Sequence, residues 1–366
     1  MADDSVTAVE TSVYTIPTDA PEADGTLSWD STTLVLVSVQ AGGVTGLGYT
    51  YGPPACAHVV RDTLAAVVTG VSAMDVPAAA GAMRDAVRNM GYGGVAGYAC
   101  SAVDIALWDL KARLLGLPLQ ALLGATRPQV EVYGSGGFVS YGPDRLRDQL
   151  AGWVDDGIGR VKIKIGEDRG RNPRRDLDRM RQARETIGED VELFVDANGA
   201  YSAAQAVRVM AAASDLDVRW LEEPVSSDDL EGLALVRRRV SADVAAGEYA
   251  TDPHYVRRMC QAGAVDCMQA DATRCGGITG WLAAAAVAGA FGLDISAHCA
   301  PHVHAQAATA VRTGRHLEWF HDHVRIERML FDGVLDPHGG VVTPASDWPG
   351  LGLVFKAADA EEYRVG

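Results

Sequence analysis

Three acidic residues recur at even intervals in the second half of the chain. Asp196 ends the run Leu193-Phe-Val-Asp, Glu222 ends Trp220-Leu-Glu and Glu248 follows Ala245-Ala-Gly, each 26 residues from the next. Such an interval is one strand–helix unit of an α/β barrel. The spacing therefore puts three carboxylates at the C-terminal ends of successive strands, the face on which such barrels build their sites. A single acid there reads first as a solvated strand end. Three in phase converge on one side of the mouth and repel one another unless a cation neutralises them. Hard oxygen ligands with the remaining positions open to water suit Mg²⁺, which makes Asp196, Glu222 and Glu248 the candidate metal ligands.

One unit upstream, Val161-Lys-Ile-Lys-Ile sets Lys162 and Lys164 two residues apart. In a strand both point the same way, here into a barrel interior that is otherwise apolar. Each cation is expected to depress the other's pKa, and a nearby divalent ion to add to this, leaving one lysine neutral enough to act as a base. Downstream, Asp271, His298 and Glu318 follow Glu248 at steps of 23, 27 and 20 residues, again close to one unit each. Asp271 and His298 on adjacent strand ends are expected to form a dyad, the carboxylate fixing the imidazole tautomer and raising its basicity. The lysines precede the acids and the histidine follows them, so the two bases would approach a bound molecule from opposite sides.

These positions presuppose a barrel, and the chain reads as one. Eight short β-rich runs begin at Val130, Val161, Glu192, Val218, Asp243, Ala264, Leu293 and His316, with amphipathic stretches such as 175–187 and 203–213 between them. Strands alternating with helices imply parallel pairing and a modified TIM barrel of seven or eight (β/α) units. The first third differs. Strands at 13–16 and 32–39, a Gly42-Gly43 turn and a return strand through 48–51 predict an antiparallel meander. A helix is expected over 101–115, where Val103, Leu107, Leu110 and Leu114 recur at helical spacing and Gly116 closes the run. The expected organisation is an α/β protein: an α+β capping domain at 1–127, a catalytic barrel at 128–330, and a C-terminal segment, 331–366, packing back on the capping domain. The stretch 17–30 carries Asp19, Glu22 and Asp24. Over the barrel mouth it would disfavour diacids and favour monocarboxylates with several hydroxyls.

Composition narrows the function. With 32 Lys and Arg against 48 Asp and Glu in 366 residues, the formal charge is −16. Such a chain is repelled by polyphosphate and by anionic lipid, so neither nucleic acid nor a membrane is an expected partner. The longest apolar run, 281–293, is too short for the roughly 20 residues that span a bilayer. The N-terminus, Met-Ala-Asp-Asp, lacks the features of a secretory signal, and a cytoplasmic location is expected. The six cysteines show no CxxC pair and read as small buried hydrophobes. Histidines bunch at 298, 302 and 304 and again at 316, 321 and 323. A solvated loop is expected for the second bunch, with His321 or His323 as a possible substrate contact.

Taken in order, Val161-Lys-Ile-Lys-Ile-Gly, Val195-Asp-Ala-Asn-Gly, Leu221-Glu-Glu-Pro, Ala246-Gly-Glu, Asp271…Gly276-Gly-Ile-Thr-Gly-Trp281, Ser296-Ala-His and Leu317-Glu resemble the mandelate racemase subgroup of the enolase superfamily. Ser101-Ala-Val-Asp-Ile-Ala-Leu-Trp-Asp-Leu-Lys resembles its capping domain. The resemblance implies Mg²⁺ on Asp196, Glu222 and Glu248, a base at Lys164 with Lys162 as its electrostatic partner, and an opposing Asp271–His298 acid/base pair. Glu318 would stabilise or protonate an enolate, and Asn198 would support metal or substrate. Arg274 and Tyr49 are further expected substrate contacts, although Arg274 departs from the lysine common in mandelate racemase. Muconate cycloisomerases and dipeptide epimerases carry a lysine near the end of the sixth strand. The chain has Asp271-Ala-Thr-Arg274 there instead.

The implied chemistry is removal of the proton α to a carboxylate. Dehydration of a sugar acid to a 2-keto-3-deoxy acid is the leading expectation. A racemase or epimerase of a 2-hydroxy acid and a cycloisomerase of an anhydro or lactone sugar acid are the alternatives. A silent barrel kept for binding is disfavoured because every catalytic position holds a competent residue. A metallohydrolase is disfavoured because such barrels gather several histidine ligands. A homo-oligomer is implied by the resemblance alone.

Overall fold

The computed structural model describes residues 4–366. The valine- and threonine-rich N-terminal runs extend further than their apolar cores suggest, as β1 (Ala8–Ala23), β2 (Ser28–Ala41) and β3 (Val44–Tyr51), paired antiparallel in that order. The β1–β2 register slips between Pro17 and Glu22, leaving a bulge before the hairpin tip. The helix expected over 101–115 runs from Val95 to Leu115 and ends on Gly116 in the left-handed conformation. Its first turns were not legible as amphipathic because nearly every side is buried. Gly48 of β3 lies so close that a Cβ there would sit 2.2 Å from the Ala102 carbonyl oxygen.

Eight parallel strands close the barrel: β4 (Val130–Gly136), β5 (Arg160–Lys164), β6 (Glu192–Asp196), β7 (Val218–Glu222), β8 (Asp243–Ala246), β9 (Cys267–Ala270), β10 (Asp294–Ala297) and β11 (Gly314–Phe320). Each pairs with the next, and β11 returns to β4 through Leu317–Val132 and its neighbours. Below the mouth the barrel is filled by side chains. Tyr133, Phe194, Trp220, Ala245 and Cys267 form one buried cluster, with Phe194 and Trp220 stacked at 5.4 Å. His316, in the last barrel strand as expected, belongs to this plug, its ring edge-on to Tyr133 and its Nδ1 2.8 Å from Ser296 Oγ. The Ala-rich run expected to be apolar lies in the helix Gly277–Ala290. No helix of the described residues is long and apolar enough to cross a membrane.

The C-terminal segment touches both parts of the molecule. Leu351 N–H donates to Asp109 Oδ1 (2.6 Å) and Val365 N–H to the Val13 carbonyl (2.8 Å), while Val341 and Val342 pair antiparallel with β4.

The N-terminal sheet is fixed over the C-terminal ends of the barrel strands. Thr50 Oγ1 donates to the Thr273 carbonyl (2.8 Å), Val139 N–H to the Ala23 carbonyl (2.8 Å) and Arg169 N–H to the Gly25 carbonyl (2.9 Å). Gly25, at the β1–β2 tip, rests against the residues that follow Lys164. A Cβ there would lie 2.6 Å from the Gly166 carbonyl oxygen and 2.7 Å from that of Ile165. Backbone cannot yield as a flexible side chain does. Gly25→Ala is therefore expected to destabilise the fold by about 1–3 kcal/mol. Gly81→Ala, in a helix with open space around it, is expected to stabilise it by about 0.4–1 kcal/mol. Urea unfolding midpoints of the two variants check both signs, and equal shifts would contradict the close approach.

Candidate active site

The inward faces of β5, β6, β7 and β11 meet in a buried ion network. Lys162 Nζ lies 2.6 Å from Glu222 Oε1, 2.8 Å from Glu318 Oε1 and 3.6 Å from Asp196 Oδ2. Lys164 Nζ lies 2.5 Å from Asp196 Oδ2. Lys162 depresses the Lys164 pKa, as expected, but the acids around the pair reverse the net direction. Burial favours their neutral forms, and their mutual repulsion adds to it for Lys164, but the carboxylates outweigh both. Glu222 and Glu318 hold Lys162 well above the ordinary range and Asp196 holds Lys164 above it. Sequence order shows two lysines on one strand face but not the acids that three other strands bring against them.

The carboxylates differ in turn. Glu222, buried and beside Asp196, is pushed up to about 7 despite Lys162. Trp220 Nε1 donates to its second oxygen (2.9 Å), tying it to the aromatic plug. Glu318 is held well below the usual carboxylate range by Lys162 against the cost of burial. It accepts from Ser135 Oγ (2.6 Å) and Cys299 N–H (2.9 Å).

Across the mouth, His298 Nδ1 lies 2.9 Å from Asp271 Oδ2, and Thr273 N–H and Oγ1 both donate to Asp271 Oδ1 at 2.7 Å. The imidazole Nε2 faces Glu248 Oε2 at 3.4 Å. Burial lowers the His298 pKa, but Glu248, Glu318 and the Asp271 hydrogen bond carry it above the ordinary value. Arg274 reaches Glu248 Oε1 (3.1 Å) and Asp271 Oδ2 (3.4 Å) and so ties a triad acid to the dyad. His304 links the two strand ends that carry the dyad. Its Nε2 accepts from Ala272 N–H (2.8 Å), which leaves Nδ1 to donate to the Cys299 carbonyl (2.7 Å).

A cavity of about 620 Å³ opens above this floor, lined on the barrel side by Lys164, Asn198, Glu248, Arg274, His298 and Glu318. Asp196, Glu222, Lys162 and Asp271 lie beneath. The opposite wall comes from the N-terminal sheet, through Asp24, Leu27, Trp29, Thr32, Thr33 and Tyr51. The acid-rich stretch does cover the mouth, but only one of its three acids faces the cavity. Asp19 pairs with Arg145 (2.8 Å) and His321 (3.1 Å), and Glu22 is buried with Trp29 Nε1 donating to it (2.9 Å). Burial, with Asp322 next, pushes Glu22 up to about 8.

Tyr49 is corrected as a substrate contact. It is 1% exposed and its hydroxyl donates to Glu327 (2.8 Å). Tyr51, on the same strand face one step nearer the mouth, takes its place in the cavity wall. The solvated loop expected around His321 and His323 is also corrected. A helix, His321–Leu330, starts directly after β11, and His323 is buried in the wall. Trp29, Tyr51 and Tyr249 carried no signal in the sequence, since an aromatic residue in a strand or loop is commonplace.

The carboxylates Asp196, Glu222 and Glu248 offer oxygens within 4.8 Å of one another. Three buried acceptors around them, Glu248 Oε2, Asn198 Oδ1 and Glu223 Oε1, have no hydrogen-bond donor. Glu223, which sequence reasoning did not single out, is turned toward Glu248 and Asp196 by a left-handed backbone (φ 37°). Six acids, Asp196, Glu222, Glu223, Glu248, Asp271 and Glu318, crowd around Lys162, Lys164, Arg274 and His298. Burial and this crowding push Glu222 up to about 7 and Glu223 well above the usual carboxylate range; a hydrated, oxygen-seeking dication would relieve both and would suit the acceptors left without donors.

Known proteins share this architecture. Residues 145–360 match the model of the enolase C-terminal domain-like family, and residues 8–124 that of the mandelate racemase / muconate lactonizing enzyme N-terminal domain. A 3,6-anhydro-alpha-L-galactonate cycloisomerase of Streptomyces coelicolor is 31% identical over 98% of this chain and 99% of its own. The L-talarate/galactarate dehydratase of Salmonella typhimurium is 33% identical over 69% of this chain, an alignment spanning 64% of that enzyme. Its structure liganded with Mg and L-lyxarohydroxamate superposes with a TM-score of 0.90 at 27% identity, covering 100% of this chain and 94% of that one. The structure of a mandelate racemase/muconate lactonizing enzyme-like protein from Rubrobacter xylanophilus matches at 52% identity with a TM-score of 0.95, covering 99% and 100% of the two chains. The ordered strand-end acids, the paired inward lysines and the Asp–His dyad under an antiparallel cap thus place this chain in the mandelate racemase subgroup of the enolase superfamily, a group of enzymes.

Proposed function

We propose that the chain removes the proton α to the carboxylate of a sugar acid and then expels the β-hydroxyl, giving a 2-keto-3-deoxy acid. The observation that carries this reading is the placement of two proton-transfer groups across one carboxylate cluster. Lys164 stands at the Asp196 end and His298 at the Glu248 end, both lining the same cavity, on strands three places apart in the ring of eight. Asp196, Glu222 and Glu248 would hold Mg²⁺, with Asn198 and Glu223 able to accept from its water shell. When bound, Mg²⁺ supplies positive charge beside the substrate carboxylate, which lowers the cost of removing the α-proton, and it competes for the Asp196 oxygen that keeps Lys164 charged.

The chain's own groups divide the remaining work. Lys164 Nζ takes the α-proton. Lys162 stays charged on Glu222 and Glu318 and so fixes the positions of both acids. His298, whose pKa the surrounding acids raise, acts in its protonated form: Nε2–H gives its proton to the departing β-hydroxyl, so that water leaves. The enol that remains tautomerises to the 2-keto acid. Asp271 and Arg274 orient the imidazole and Glu248 without contacting the reacting carbon.

The cavity also bears on substrate class. Its lining cations are already engaged: Lys164 with Asp196, and Arg274 with Glu248 and Asp271. A second substrate carboxylate would meet Asp24 and Thr32, whose hydroxyl proton is given to Asp322, with no unpaired lining cation among the described residues. A monocarboxylate with several hydroxyls suits that wall. The full-length likeness to a cycloisomerase favours a second reading, in which a ring oxygen of an anhydro sugar acid is the leaving group.

Incubation with Mg²⁺ in D₂O against mono- and diacid sugars, followed by NMR, tests the proposal. A 2-keto-3-deoxy acid from an open-chain monoacid is the expected product. The same product from an anhydro acid alone would establish the cycloisomerase. Deuterium exchange with inversion at the α-carbon and no 2-keto product would establish a racemase or epimerase, and faster turnover of diacids would overturn the substrate class. His298→Asn is expected to abolish product while leaving exchange by Lys164 measurable, whereas Lys164→Met should abolish both. The rate requires His298 protonated and so falls as pH rises through its raised pKa. Removing the Asp271 charge lowers that pKa, so Asp271→Asn should move the alkaline limb of kcat to lower pH; an unmoved limb would contradict His298 as the acid.

A further inference from the structure

The turn that follows β10 is strained. Cys299 and Ala300, neither of them glycine, both adopt left-handed backbone conformations (φ 49° and 39°) in succession. Strain of this kind persists only where the surroundings over-determine it, and it collects at functional sites. Its effect here is to aim two consecutive N–H groups at the cavity wall. Cys299 N–H donates to Glu318 Oε2 (2.9 Å), which belongs to the site already described. Ala300 N–H donates to His323 Nδ1 (3.2 Å).

A backbone N–H has no second tautomer. Once it donates to Nδ1, that nitrogen must be the unprotonated one, and the ring carries its proton on Nε2. The ring is held in place from two more sides. Tyr51 stacks on it at 3.4 Å and 15°, with the tyrosine hydroxyl anchored on Glu327 (3.1 Å), and Phe320 packs edge-on at 5.1 Å. Protonating Nδ1 as well would oppose the Ala300 N–H inside a buried wall. In agreement, burial pushes the His323 pKa down to about 3, with Asp271 and Glu318 opposing and His298 and Arg274 reinforcing the fall. His323 lines the cavity, and Nε2–H finds no acceptor among the described residues. A fixed, neutral donor has thus been oriented into the space a bound molecule fills, at a cost in backbone strain, and left without a partner.

We propose that His323 Nε2–H donates a hydrogen bond to a hydroxyl of the bound acid beyond its reacting carbon, making His323 a specificity residue that selects polyhydroxylated chains. The inference rests on the sugar-acid reading above. A neutral imidazole with one exposed N–H suits a hydroxyl, which can accept and still donate onward to Thr32 in the same wall, whose own proton goes to Asp322.

The test uses the Mg²⁺-loaded full chain. Long-range ¹H–¹⁵N correlation spectra, with His323→Phe for assignment, should show His323 protonated on Nε2 alone and unchanged from pH 6 to 8. Dissociation constants are then measured for five- and six-carbon aldonates and for lactate, which has no hydroxyl beyond the α-carbon. His323→Phe, which keeps a ring against Tyr51, should weaken the tightest-binding aldonate about tenfold, the loss of one neutral hydrogen bond. Lactate should bind parent and variant alike, and His323→Gln, which restores an N–H, should recover part of the aldonate affinity. An Nδ1-protonated or charged ring would overturn the inference and leave the reaction assignment standing. So would equal weakening of aldonate and lactate, or none. Failure of the parent to bind any of these acids would overturn the sugar-acid reading and the inference with it.

Discussion

Two lysine ammonium groups inside a closed barrel are tolerated only because acids from other strands surround them. Removing one buried charge from water costs several kcal/mol even after relaxation, and Lys162 is wholly enclosed. Its position is stable because Glu222 and Glu318 both lie within 2.8 Å of it. Those acids and Asp196 repel one another in turn, and burial with this repulsion pushes Glu222 up to about 7. A dication beside the strand-end acids would relieve the repulsion, while the same acids keep both lysines charged.

Everything around the network serves to hold these charges at fixed separations. The Tyr133–Phe194–Trp220 plug closes the barrel below and anchors Glu222 through the Trp220 N–H. His304 ties the strand end of Asp271 to that of His298, so the dyad distance depends on backbone groups rather than on flexible side chains. The N-terminal sheet closes the space above and supplies the hydroxyls and aromatic rings that the barrel ends lack. The division has a chemical logic. The barrel strands carry the ionisable groups of the floor, while the hairpin tip, pressed on the backbone after Lys164, helps form the opposite wall of the cavity.

Much of this was legible in the sequence because strand ends recur with the period of the βα unit. An acid at that phase three times over points to one cluster regardless of the helices between. Properties set by contacts across the barrel were not legible. Nothing near Lys162 in sequence shows that Glu318 pairs with it, so the net rise of the lysine pKa values was not visible there. Glu223 sits beside Glu222 and by strand alternation belongs on the opposite face; its left-handed backbone breaks that alternation, and Glu248 and Asp196 are near enough for their charges to add to burial in raising its pKa. Tyr49 and Tyr51 share a strand face, and only the depth at which β3 crosses the mouth decides which of them lines the cavity. The helix at 321–330 begins without an intervening loop or a capping side chain, so the usual start signal was missing and His323 was placed in solvent.

Titration of the purified chain with Mn²⁺, followed by electron paramagnetic resonance, tests the central claim most directly. The acid cluster predicts a single ion per chain, displaced by Mg²⁺ and lost in Glu222→Gln, a variant that leaves Lys162 its Glu318 partner. Binding that persists undiminished in that variant, or no binding in the parent, would contradict the assignment of the strand-end acids as one dication site.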